Sequence, residues 1–121
     1  MSGEPNKLVY DTQRVRRDGE LDLEFVGALL ASHHHESDDG YRWTEVDLFV
    51  TASGKFVSVV RFGGTSRRTI QSDAKVCTSP EEVVEWMRGR RGRIGIAGKT
   101  VLERANRLYP EVFPFRPIET I

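Results

Sequence analysis

A chain of 121 residues, 38% hydrophobic and 30% charged, has room for one ordinary domain and is too apolar for a disordered segment. Its 18 basic and 18 acidic side chains give a formal net charge of zero, and its single cysteine excludes an intrachain disulfide framework and fits a reducing compartment. No apolar run approaches the roughly 20 residues of a membrane span, and the polar start MSGEPNK has no secretory-signal core, so a cytoplasmic protein with no membrane partner is expected.

The zero average hides a gradient. From Asp18 to Asp47 nine acidic residues stand against Arg42 alone, a net −8; from Arg88 to Arg107 seven basic residues stand against Glu103, a net +6. Such segregation creates surface potentials that favour an anionic partner, or self-association of acidic face on basic face.

In chain order, residues 1–6 are expected to be flexible and 7–17 to form an edge strand ended by the turn dipeptide Asp18-Gly19. From Glu20 to about His34, Leu21, Leu23, Phe25, Gly27 and Leu29 alternate with Val26, Ala28 and Leu30. This period of two, with Gly27 in its middle, favours a strand over a helix. After the turn formers of ESDDGY, WTEVDLFVT sets Val46, Leu48 and Val50 against Glu45, Asp47 and Phe49; Ala52-Ser53-Gly54 then turns the chain into KFVSVVRF. That is a β-hairpin, and a further short strand falls between Thr69 and Thr78.

Ser79-Pro80-Glu81-Glu82 carries a capping residue, a first-turn proline and a capping-box glutamate. It predicts a helix with Val83, Val84 and Met87 on its apolar stripe, ending near Arg88 or Gly89. The connector RGRRGRIG leads to a second helix, Ala97 to Leu108, with the stripe Val101, Leu102, Ala105, Leu108 and Tyr109, stopped by Pro110. Residues 110–121 read as an extended aromatic tail. The expected fold is a single α+β domain over 1–121: an antiparallel β-meander of three to five strands followed by two C-terminal helices packed on one sheet face.

GRIGIAGKT, residues 92–100, ends like a phosphate-binding loop. That loop needs a glycine five positions before Gly98, where this chain has Arg93. EWMRGRR before it reads as a helix end rather than a buried strand, so neither a nucleotide nor any other cofactor is expected.

Four groups of residues remain. His33, His34 and His35 hold every histidine in the chain; on a strand His33 and His35 share a face, and Glu36 or Asp38 would complete a divalent metal site. All ligands would come from one hairpin end, which argues for a polar strand end and against a resident metal. Cys77 precedes a helix N-terminus, which lowers a thiol pKa. Glu45 and Asp47 share a strand face, suited to acid–base work or simply to solvent. Finally, Arg88, Arg90, Arg91, Arg93 and Lys99, with Arg61, Arg67 and Arg68 beside Phe62, are candidates for phosphate contacts to nucleic acid.

The strand 56–62 is apolar on both faces, and two helices cover only one. The other face must be shielded by the N-terminal segment, the aromatic tail or a second subunit, which favours a homodimer. The leading functional expectation is a non-enzymatic protein-interaction or regulatory module whose contact residues are Glu36, Asp38, Asp39, Phe113 and Phe115. The alternative is a nucleic-acid-binding protein using the arginine-rich linker 88–99, and the third is an enzyme using Cys77 or His33–His35.

Overall fold

The computed structural model describes residues 7–64, 70–89 and 92–115. The expectations for residues 1–6 and 116–121, and for Arg67, Arg68, Arg90 and Arg91, lie outside these. Five strands, β1 (Asp11–Val15), β2 (Leu23–Glu36), β3 (Arg42–Thr51), β4 (Phe56–Gly64) and β5 (Gln71–Cys77), precede helices α1 (Pro80–Arg88) and α2 (Ile96–Leu108). The strands pair antiparallel in sequence order, β1-β2-β3-β4-β5, because every connection is too short for a crossover. This is the expected α+β meander with two C-terminal helices.

The alternation along β3 decides the layers. Val46, Leu48 and Val50 point to one face and join Ala28, Leu30, Phe56 and Cys77 there. On this face lie Val83 and Val84 of α1 and Ala97, Val101, Leu102 and Ala105 of α2, all in one buried cluster. Each fully buried side chain of the size of Leu102 stabilises the fold by about 1.5–3 kcal/mol.

Phe49, Val57, Val59 and Ala74 form a second cluster, covered by Val15, Leu23 and Phe25. By register these residues occupy the opposite sheet face: Phe49 pairs with Val57 and Val59 with Ala74. The chain shields this face with its own first hairpin. Phe25 stands edge-on to Phe49 with ring centroids 5.4 Å apart. The turn after β1 also reaches the last strand: Asp18 N donates to Ser72 O at 2.9 Å, Ser72 N to Asp18 Oδ2 at 3.0 Å and Ser72 Oγ to Arg16 O at 2.7 Å. The sheet is therefore rolled, and the N-terminal segment, one of the three expected shields, covers this second apolar cluster.

Three details differ from the sequence reading. The pairing of β2 with β3 slips between Leu29 and Ala31, a β-bulge that turns Leu30 and Ala31 to the helix side together; both are buried. Leu21, expected on the strand, precedes it and is 85% exposed. The tail does not start extended. Val112 N and Phe113 N both donate to Tyr109 O, at 3.1 and 2.8 Å, folding residues 109–113 into a turn that inserts Phe113 into the core.

The helix termini follow the local chemistry. Glu82 N donates to the Ser79 side chain at 3.1 Å. The Glu82 carboxylate returns to Thr78, accepting from its N–H at 3.1 Å and its hydroxyl at 3.3 Å; the capping box is shifted one residue outward. In α2, Gly98 is buried against Met87 and Ile94, where a Cβ would lie 3.4 and 3.0 Å from their side chains. Gly98 thus serves helix packing, and Lys99 and Thr100 belong to the first turn of α2, with Thr100 Oγ1 donating to Ile96 O at 2.9 Å. No helix among the described residues is long and apolar enough to cross a membrane.

Candidate functional site

The rolled first hairpin leaves part of the second sheet face uncovered. From His34 on β2 to Arg61 on β4, the side chains there are polar. Register places Ser32 beside Asp47 and His34 beside Glu45 across β2 and β3, and Glu45 beside Arg61 across β3 and β4. Alternation alone puts all five on one face.

These groups form a continuous network. Arg61 Nη2 donates to Asp47 Oδ2 at 2.9 Å and to Glu45 Oε1, so one guanidinium neutralises much of the charge of two carboxylates. Asp47 also accepts from the Ser32 hydroxyl at 2.6 Å. Ser32 is in turn tied to the helix layer, its carbonyl accepting from Arg104 Nη1 at 2.6 Å. On the outer side, His34 Nδ1 lies 3.7 Å from Glu45 and Nε2 lies 3.6 Å from Glu36.

The His34 ring stacks on Trp43, with centroids 5.4 Å apart and planes 22° from parallel. Trp43 lies over Gly63, where a Cβ would come within 3.0–3.2 Å of the indole; only a residue without a side chain leaves the ring that position. Trp43 thus forms an aromatic ledge at the β2–β3 hairpin end, and Tyr41, two residues earlier in the chain, is 64% exposed. The turn below it is stiffened by Asp39, whose Oδ1 accepts from Ser37 Oγ at 2.5 Å and from Tyr41 N at 2.9 Å. These two hydrogen bonds, the hydroxyl's first, hold the Asp39 carboxyl below its ordinary pKa. On the other side of Arg61 and Asp47 opens a cleft of about 480 Å³, walled by Val15, Phe49, Val59 and Ile70.

The remaining candidates separate. His33 and His35 lie on the helix-side face, opposite Val46 and Thr44; His35 lines a groove with Met87 and Ile96. Glu36 is on the other face with His34, so it does not join His33 and His35. Among the described residues no group of three or more His, Cys, Asp or Glu side chains is arranged to hold a metal ion.

Cys77 is fully buried. Burial, then the nearby Glu82 carboxylate, pushes its thiol up to about 11. This is the opposite direction to the lowering expected from a helix N-terminus, because burial disfavours the thiolate.

Phe113, expected on a contact surface, is fully buried, edge-on to Phe56 at 5.4 Å; Phe115 is half-buried beside it. Glu36, Asp38 and Asp39 are exposed at the hairpin end.

Of the basic candidates, Arg61 is engaged by its two carboxylates. Arg88 lies 3.7 Å from Glu85 one helical turn back. Arg93 and Lys99 are exposed near the start of α2. Glu45 and Asp47, read as acid–base candidates or a solvated face, are neither free nor fully solvated. Ser32 and His34 serve different carboxylates rather than each other, so the arrangement holds no activated serine.

Ser32 and Trp43 carried no role in the sequence, and His34 stood out only as a member of the histidine run. The histidine run drew attention to His33 and His35, while His34 gains its neighbours only through the β2–β3 register. The turn residues 38–41 were the available signal: with Ser37 opposite Arg42, counting outward puts Glu36 opposite Trp43 and His34 opposite Glu45.

The chain matches no protein-family model, no curated protein and no solved structure. The class it defines is structural: a rolled five-stranded meander, backed by two helices, with a charged network leading to an aromatic hairpin end.

Proposed function

We propose that this protein works by binding another protein, without catalysis, and that the β2–β3 hairpin end is its contact surface. The observation that carries this is the setting of Trp43, held between the His34 ring and the Gly63 backbone, with Tyr41 exposed two residues earlier in the chain. Tryptophan and tyrosine dominate the energetics of protein interfaces when they are fixed in advance, since little side-chain freedom is then lost on binding. Glu36, Asp38 and Asp39 are exposed at the same hairpin end and suit a partner with a basic surface, chiefly through a faster encounter.

The test is affinity capture with the wild-type chain, followed by reconstitution with the purified partner and with Tyr41→Ala and Asp38→Lys variants of unchanged melting temperature. Both residues are exposed and outside the packed clusters. A partner bound by the wild type and weakened tenfold or more by Tyr41→Ala supports the reading. Equal binding by wild type and variants rejects it.

A second reading, nucleic-acid binding, draws on one observation: Arg93 and Lys99 are exposed near an α2 N-terminus that has no acidic residue in its first turn. Fluorescence anisotropy with oligonucleotides at about 50 and 200 mM salt tests it. Binding that falls steeply with salt and is lost in Arg93→Ala/Lys99→Ala supports it; no binding at the lower salt rejects it.

A further inference from the structure

His34 occupies an unusual junction. Its two ring nitrogens face carboxylates from two strands, Glu36 on β2 at 3.6 Å and Glu45 on β3 at 3.7 Å, while its ring face lies on Trp43. At those separations a neutral imidazole, which carries one N–H, makes no close hydrogen bond to either carboxylate. An imidazolium carries an N–H at both nitrogens and a delocalised charge over the indole.

We propose that His34 is a proton-operated clasp that fixes the Trp43 ledge when the surroundings acidify. One protonation changes three contacts together: an ion pair along β2, an ion pair across to β3 and a cation–π contact with Trp43. Histidine is the side chain whose charge most readily changes near physiological pH.

The charges facing His34 are Glu36 and Glu45, with Arg61 and Asp47 behind Glu45. Arg61 engages Glu45 through Oε1, whereas His34 approaches Oε2. Closing the clasp therefore leaves the Arg61 contact in place. His33 and His35 are on the other face and take no part.

The consequence for a protein partner, tighter capture at lower pH, rests on the reading of the hairpin end as the contact surface; the clasp itself does not. Its test uses the isolated chain carrying Trp86→Phe, so that Trp43 is the only tryptophan. Trp43 emission is expected to change with pH in a single step that is lost in His34→Gln and kept in His33→Gln. Emission independent of pH, or a transition that survives His34→Gln, overturns the clasp.

Should His34→Gln not fold, NMR titration of the chain without that substitution decides. The Trp43 indole N–H resonance is expected to move with the His34 ring resonances at the same midpoint, and an indole signal that stays still while His34 titrates overturns the proposal. Neither readout involves a partner, so loss of the contact-surface reading leaves it standing.

Discussion

Arg61 on β4 reaches across the sheet to Asp47 on β3, donating from Nη2 to Oδ2 at 2.9 Å, and the same nitrogen contacts Glu45 two residues earlier on that strand. Two carboxylates on one strand face are thus held together by a single cation. Replacing it with an apolar side chain of similar length, Arg61→Met, leaves like charges adjacent.

The variant is expected to lose about 1–2 kcal/mol of stability at neutral pH, since the network is partly screened by solvent. The deficit shrinks in acid, where a carboxyl group carries no charge for the guanidinium to neutralise. Urea denaturation of both proteins at several pH values measures it; an equal deficit at pH 3 and pH 7 contradicts the electrostatic account.

Phe113 is expected to act through stability. Truncation to alanine opens a cavity against Phe56 in the main core and costs about 3–5 kcal/mol. Chemical denaturation reads this directly. A Phe113→Ala protein with near-native stability would mean that residues 109–113 do not pack as a plug.

Gly63 is expected to govern the position of Trp43. In Gly63→Ala the new Cβ would crowd the indole, so the ring moves and its stack on His34 opens. The expected readout is a shifted Trp43 emission in the Trp86→Phe background, with a loss of about 1 kcal/mol as the crowded ring repacks. Unchanged emission would mean that the indole does not rest on the Gly63 backbone.

Cys77 is expected to be inert in the native protein and to make stability pH-dependent on the alkaline side. Its folded thiol is held up to about 11, mainly by burial, whereas an unfolded thiol titrates near 8.5. The folded state therefore retains a proton that the unfolded state releases. The contribution is complete below about pH 8.5 and is lost as pH rises toward 11. Melting temperatures of wild type and Cys77→Ala from pH 8 to 11 test it, with the wild type falling faster. A native thiol that reacts with a disulfide reagent at pH 8 as fast as the unfolded chain would overturn it.

The local architecture was legible from the residues themselves. The alternation Val46, Leu48, Val50 against Glu45, Asp47, Phe49 announces a strand with one buried face, and Ser79-Pro80 with Glu82 announces the start of α1. The apolar stripe of α2 likewise sets which side it buries. Each of these depends on neighbours within four or five positions along the chain, where hydrogen-bond geometry and side-chain periodicity act.

The site depended on something else. Whether Glu45 and Asp47 face water or a guanidinium is decided by the register that sets Arg61 opposite Glu45. The neighbours of His34 are decided by pairing across the 38–41 turn. What covers Phe49 and Val57 is decided by the roll of the first hairpin, tied down where Asp18 meets Ser72, 54 residues later. The sequence by itself determined the strands, the caps and the apolar stripes, because those are local. Only the tertiary structure decided which charges are neutralised and which aromatic rings stay exposed, because electrostatics and burial act between residues that are close in space and distant in the chain.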